Sequence, residues 1–210
     1  MIDLYTWSTP NGRKISIFLE ELKVDYKVFP INILKNEQFN KSFLKISPNN
    51  KIPAILDNEN NISMMESGSI LLYLAEKYKK FLPLVFDNRF KCIEWLNFQT
   101  ASQGPMLGQA HHFLKFNKGK SEYSEERYHK EAERIYNVMN TQLKKSKYLA
   151  GDEYTIADIA AWPWIARFEW HQIDIKKYEY VADWYTNISN REAVQKGYDI
   201  PSIGASIPKI

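Results

Sequence analysis

Apolar and polar positions alternate through "IDLYTW", with Ile2 and Leu4 set against Asp3 and Tyr5. That is the pattern of a half-buried strand. The period then changes: Ile15, Phe18, Leu19 and Leu22 recur at i, i+3, i+4 and i+7, one face of a helix. "YKVFPINI" and "IPAILD" read as strands, and "NISMM", after the "NEN" turn, as a hairpin return. "ESGSILLYLAEKYK" closes this region as a helix with Ile70, Leu71, Leu74 and Tyr78 on one face. The order is β-α-β followed by β-β-α, a small mixed sheet flanked by helices.

Beyond "KYKKFLPLVFDNR" the pattern becomes helical. Tyr128, Ala132, Ile135 and Met139 mark a stripe through a helix expected from Ser124 to Lys145. "YTIADIAAWPWIARF" predicts another, with Thr155 as N-cap and Asp158 completing a capping box. Pro163 either kinks that helix or lies where it is tolerated. "EYVADWYTNI" reads as a further helix, and "IPSIGASIPKI" as an extended tail. The expected architecture is an α/β domain over residues 1–82 and an all-α domain over residues 83–210.

Composition narrows the function classes. The 210 residues carry 28 basic and 25 acidic side chains, a net charge of +3, interleaved without a basic stripe. Nucleic acid is therefore not an expected partner. A single cysteine, Cys92, excludes an intramolecular disulfide and a cysteine-based metal cluster, and "RFKCIEWL" places it near the apolar face of a helix. No apolar run approaches the roughly 20 residues of a membrane span. The N-terminus opens on a strand pattern without a leader, so a cytoplasmic protein without a membrane partner is expected.

Three local signals carry candidate chemistry. "STPNGRK" starts the first helix, where free backbone N–H groups and the helix dipole favour an anion. In "SPNNKIPAI", Pro53 precedes a strand, and a cis Ile52–Pro53 bond would expose the Ile52 backbone to a peptide-like ligand. In "ESG", Ser67 is expected at an N-cap with Glu66 beside it, a second helix start suited to a carboxylate. The adjacent His111 and His112 point to different helix faces and have no partners at ligand spacing, so no metal is expected. Trp162, Trp164 and Trp170 read as core.

Together with "QFNKSFLKISPNNKIPAI", "GPMLGQAHHF" and "IADIAAWPW", these signals resemble the glutathione transferase superfamily over roughly residues 1 to 200. Within it the chain is most similar to the bacterial Nu class, which is related to the yeast Ure2-type proteins. The resemblance implies a thioredoxin-like N-terminal domain and an all-α C-terminal helical domain. It implies glutathione as cosubstrate, small disulfide or electrophilic substrates, and a homodimer. It implies that Thr9 and Asn11 donate to the glutathione sulfur, so the protein needs no cysteine where redox thioredoxin relatives keep theirs. Gln38, Lys51, Ile52, Pro53, Glu66 and Ser67 then hold the tripeptide: Ile52 pairs with its cysteinyl unit, Ser67 takes the γ-glutamyl carboxylate, and Glu66 takes the γ-glutamyl ammonium. Gln38 and Lys51 lie toward the glycyl end. Arg127 matches a position that supplies an arginine to the ligand; its alternative is an exposed i,i+4 partner of Glu131. Ser8 and Tyr5 are rival thiol activators. The implied activity is disulfide-bond reduction. A conventional conjugating transferase and a non-catalytic Ure2-like binding protein are the alternatives, although the latter carry an Asn/Gln-rich extension that this chain lacks.

Overall fold

The first strand, β1 (Ile2–Thr6), buries Ile2, Leu4 and Thr6 completely on one face and leaves Asp3 and Tyr5 half-buried on the other. The computed structural model describes residues 1–210. After β1 come α1 (Pro10–Leu22), β2 (Tyr26–Pro30), the single turn α2 (Lys41–Leu44), β3 (Ala54–Asp57), β4 (Ile62–Met65) and α3 (Ser67–Tyr78). The sheet order is β2-β1-β3-β4. β1 runs parallel to β2 and antiparallel to β3, which is antiparallel to β4. A parallel pair needs a crossover, and α1 supplies it. Leu4 sits in register with Val28 on one side and Ile55 on the other. The predicted stripe Ile15, Phe18, Leu19 and Leu22 is buried along α1, and Ile70, Leu71 and Leu74 are buried along α3.

A polar cluster closes the end of β3. The fully buried Asp57 accepts hydrogen bonds from Tyr73 Oη (2.6 Å), Lys77 Nζ (2.6 Å) and the Glu59 backbone N–H (3.0 Å). Burial by itself raises a carboxyl pKa; here the hydrogen bonds from Lys77, Tyr73 and Glu59 outweigh it and hold Asp57 down at about 2.

The second unit, Pro83–Ser189 with Pro208–Ile210, is helical. It contains α4 (Phe86–Phe98), α5 (Gly104–Ala110), α6 (Glu122–Leu143), α7 (Ile156–Ile165) and α8 (Glu179–Ser189). π-helical turns at Gln99–Gln103 and His111–Phe116 flank α5. Ala132, Ile135 and Met139 of the predicted stripe are buried. The capping box forms: the Ala157 N–H donates to Thr155 Oγ1 (3.3 Å) and the Thr155 N–H to Asp158 Oδ2 (3.1 Å). Asp158 also receives the Leu149 N–H and Trp184 Nε1–H, both at 2.9 Å. Burial still carries its pKa up to about 6. Every residue of α7 is buried, and Pro163 lies inside it, two residues before its end. Cys92 is buried in α4, as its neighbours indicated.

One boundary differs from expectation. Residues 190–207, read as part of the helical half, belong with Met1–Leu82. Their helix, α9 (Glu192–Tyr198), lies against α1. The reason is backbone proximity: a Cβ on Gly197 would come within 2.5 Å of Ile17 Cα and 2.6 Å of its N. Ser16 Oγ donates to the Gly197 carbonyl (2.6 Å) and Arg13 Nε to the Tyr198 carbonyl (2.8 Å). The Arg13 guanidinium lies 3.7 Å from the Tyr198 ring centroid. Arg191 clasps Glu21 with both nitrogens at 2.6 and 2.8 Å.

Two stability predictions arise from these contacts. Gly197→Ala should force α9 off α1 and cost about 2 kcal/mol, read as a lower urea midpoint; an unchanged midpoint would show that the close approach is not needed. Lys77→Met should cost about 2 kcal/mol at pH 7 by leaving a buried carboxylate without its ammonium. Because Asp57 titrates below its ordinary 3.8, the cluster stabilises fully above about pH 4 and fades as the pH falls toward 2. The gap between Lys77→Met and the unmodified protein should narrow across that same window.

Candidate functional site

The β1–α1 turn can be this tight because residue 12 has no side chain. A Cβ on Gly12 would overlap the Trp7 carbonyl oxygen and come within 2.5 Å of Thr6 Oγ1. Thr9 is the N-cap: its Oγ1 accepts from the Gly12 N–H at 3.2 Å, and Pro10 takes the first helical position. That cap uses a lone pair of the threonine hydroxyl and not its hydrogen, so capping and donation to a ligand are compatible.

Just inside the helix, Asn11 lines a cavity of about 250 Å³ together with Ser47, Asn49, Lys51, Ile52, Pro53, Met65, Glu66 and Ser67. The loop before β3 is held by Ser47 Oγ, buried, which donates to the Lys51 carbonyl at 2.8 Å. The Ile52–Pro53 bond is cis, and β3 begins at the next residue. Glu66 has φ +66°, left-handed for a residue with a side chain, a kind of backbone strain that clusters at functional sites. Its Oε1 accepts from Asn49 Nδ2 at 3.2 Å.

The start of α3 differs from expectation by one residue. Glu66 is the N-cap and Ser67 the first helical residue. The Ser67 hydroxyl does not cap; it accepts a 3.1 Å hydrogen bond from Lys14 Nζ, reaching across from α1. Lys14 is 2% exposed. Burial pushes its ammonium down to about 7, and the Glu66 carboxylate pulls in the opposite direction.

Asn11, Lys51, Ile52, Pro53, Glu66 and Ser67 thus share one cavity. Thr9 stands two residues before Asn11 and is not among the residues lining it, and Gln38 lies on a short 3-10 turn, Glu37–Phe39, likewise outside those walls. Arg127 belongs to α6 in the second unit, where it lines a separate cleft of about 520 Å³ with Tyr123, Tyr128 and Arg134. Its suggested partner Glu131 is held by both nitrogens of Arg134 instead, at 2.7 and 2.8 Å. Of the rival activators, Ser8 Oγ accepts from Arg13 Nη2 at 2.7 Å, and the Tyr5 ring stacks on Phe29 with centroids 4.9 Å apart. Burial raises the Tyr5 hydroxyl pKa above its ordinary value, with the Asp3 charge adding to it.

The two histidines separate as their adjacency predicts: His111 is buried and His112 exposed. His111 Nε2 meets His171 Nε2 at 2.9 Å, and His171 Nδ1 meets Tyr136 Oη at 3.0 Å. Burial, with Arg167 adding to it, lowers His111 to about 4, and burial holds His171 well below the ordinary range. A neutral chain satisfies every contact: the tyrosine hydroxyl donates to His171 Nδ1, and His171 Nε2–H donates to His111. Trp162 and Trp164 are buried around the same helix, α7, and Trp170 is half-buried.

Four residues at the cavity were missed by sequence reasoning: Ser47, Asn49 and Met65 in its walls, and Lys14 behind Ser67. Lys14 did leave a signal. It stands at i+3 from Asn11 and i−4 from Phe18, a charge set into the apolar stripe of α1.

A mixed four-stranded sheet thus carries a cavity beside two helix starts, and a separate helical unit accompanies it. Residues 4–81 match the glutathione S-transferase N-terminal domain family and residues 104–192 the C-terminal domain family. The chain is 46% identical over 198 residues to the disulfide-bond oxidoreductase YfcG of Escherichia coli, covering 92% of each chain. It is similar to a glutathione transferase homologue from Lodderomyces elongisporus solved with two glutathione molecules per subunit. That match has a TM-score of 0.90 and 40% identity, covering 95% of this chain and 98% of the other. A glutathione transferase from Pseudomonas putida with one bound glutathione disulfide per subunit matches with a TM-score of 0.91 and 35% identity, over 96% of this chain and 92% of the other. The chain belongs to the glutathione S-transferase family.

Because Ser47 ties the cavity loop from within, Ser47→Ala should lower stability by about 1 kcal/mol and weaken occupancy of the cavity severalfold. Thermal unfolding with and without glutathione measures both; full retention of the ligand-induced shift would show that the loop holds without this bond.

Proposed function

We propose that the protein is a glutathione-dependent disulfide-bond reductase in which the reacting sulfur belongs to the ligand. The observation that carries the reading is the convergence of Asn11, Lys51, Ile52, Pro53, Glu66 and Ser67 on one cavity beside the start of α1. Free thiols near pKa 8.5 are mostly protonated at neutral pH, and only the thiolate attacks efficiently. Hydrogen bonds from the Thr9 hydroxyl and the Asn11 amide, with the α1 dipole, stabilise that thiolate. The glutathione thiolate attacks one sulfur of a small disulfide, the S–S bond breaks, and a mixed disulfide forms while the departing thiolate takes a proton. A second glutathione thiolate attacks the glutathione sulfur of the mixed disulfide, releasing the other thiol and glutathione disulfide.

In this reading Ile52 pairs through its backbone with the cysteinyl unit, Ser67 takes the γ-glutamyl carboxylate and Glu66 the ammonium. Gln38 and Lys51 serve the glycyl end, and Arg127 is an additional ligand arginine. The exposed apolar cluster Leu84, Val85, Phe86 and Phe90 suits a homodimer. A reducing cytoplasmic setting suits chemistry that consumes glutathione. No helix is long and apolar enough to cross a membrane.

The test is a paired assay on one preparation: glutathione-dependent reduction of 2-hydroxyethyl disulfide, and conjugation of glutathione to 1-chloro-2,4-dinitrobenzene. Reduction should dominate and survive Cys92→Ser. Thr9→Ala and Asn11→Ala should each lose about tenfold or more in disulfide reduction, while Thr9→Ser, which keeps cap and hydroxyl, should retain most of it. Full activity in both alanine variants would remove the assignment, and strong conjugation with little reduction would make this a conjugating transferase.

A further inference from the structure

Lys14 is a lysine with almost no access to water, and although it does not line the cavity it reaches a residue that does. Its Nζ donates to Ser67 Oγ at 3.1 Å, from α1 to the first residue of α3. Ser67 itself is a wall of the cavity. A serine hydroxyl has two lone pairs and one hydrogen. With a lone pair occupied from behind by Lys14, the hydrogen is left to donate, and an anion in the cavity is the acceptor that this arrangement suits. The opposite charge is close by: Glu66, exposed at the N-cap, points its carboxylate to Asn49 in the cavity wall and acts electrostatically on Lys14.

From this geometry we infer that Lys14 is a positioning residue for the γ-glutamyl group: through Ser67 it directs a hydroxyl hydrogen at the α-carboxylate and supplies the countercharge behind it. The inference rests on the glutathione reading given above and extends it to a residue that touches no part of the ligand's sulfur. It makes the cavity a charge-matched receptor for an amino-acid zwitterion, with Lys14 behind the site for the carboxylate and Glu66 at the site for the ammonium. The α3 N-terminus adds to the Lys14 side of that match. Specificity for γ-glutamyl over other acyl groups is then set by a buried lysine rather than only by groups in the wall. The low basicity that burial imposes on Lys14 makes it responsive to an anion brought near.

The experiment compares two ligands: glutathione, and the analogue in which 4-aminobutyryl replaces γ-glutamyl, which keeps the amine and lacks only the α-carboxylate. By titration calorimetry, Lys14→Met should weaken glutathione binding about tenfold, equivalent to about 1.4 kcal/mol. It should change affinity for the analogue less than about twofold. Equal losses for both ligands, or none for either, would overturn the inference, because a purely structural lysine does not distinguish a carboxylate from its absence. A second measurement needs no variant. In the unmodified protein, the Lys14 side-chain ¹³Cε and ¹⁵Nζ resonances should shift on saturation with S-methylglutathione and stay in place on saturation with the analogue. Identical shifts with both would also overturn the inference. If the unmodified protein shows no saturable glutathione binding at all, the glutathione reading falls and this inference with it. That outcome differs from failure of the Lys14 role alone, in which glutathione binds and the ligands are not discriminated.

Discussion

The close approach of α1 to the chain that precedes it is the constraint on which the first unit depends. Only a residue without a Cβ fits between the Trp7 carbonyl and the Thr6 hydroxyl, and Gly12 occupies that place. Once the helix starts there, its successive residues have their tasks assigned by the 3.6-residue period. Asn11 turns to the cavity, Lys14 to α3, and Ile15, Phe18, Leu19 and Leu22 to the core, while Arg13, Ser16 and Ile17 meet α9. One helix therefore lines the candidate site, seals part of the core and docks the C-terminal segment. A lateral shift of its axis would disturb all three.

The parts of this arrangement that were legible in the sequence are those written in side-chain periodicity. Ile2 and Leu4 alternate with polar neighbours and are fully buried; Thr155 and Asp158 stand at capping-box spacing and make that box. Ile52, Pro53, Glu66 and Ser67, which share the cavity, stand out because helix starts and a proline before a strand are local signals, whereas Asn11 is singled out by the family resemblance. What escaped was carried by groups that the sequence does not display. The attachment of α9 runs through backbone carbonyls at Gly197 and Tyr198 and through the missing Cβ at Gly197. Lys14 escaped for a different reason: a lysine reads as solvated by default, so its place beside the apolar stripe of α1 is easily passed over until its bond to α3 is seen. The one-residue shift at the start of α3 has the same origin, since Ser67 exchanges a capping role for its bond to Lys14.

The helical unit handles its buried polar groups in a different way. Asp158 collects donors from its own helix start, from the Leu149 backbone and from the Trp184 indole, so one carboxylate ties a loop and two helices together. Tyr136, His171 and His111 form a neutral relay in which the tyrosine hydroxyl, both His171 nitrogens and His111 Nε2 find partners. Both devices satisfy polar atoms without water, and neither needs a ligand. The adjacent His111 and His112 illustrate why residue type alone is a poor guide to chemistry: one belongs to the core relay, while its neighbour faces solvent.

Cys92 gives the proposed chemistry a property of its own. The only thiol in the chain is buried, and desolvation pushes its pKa up, away from the reactive thiolate form. An enzyme that handles disulfides through a borrowed sulfur has no essential sulfur of its own to lose. Peroxide or an alkylating agent that reaches the site destroys a molecule of tripeptide, which diffuses away and is replaced from the surrounding pool. In the proposed chemistry the wear of the reaction is thus borne by a consumable, and the one thiol of the chain stays out of it.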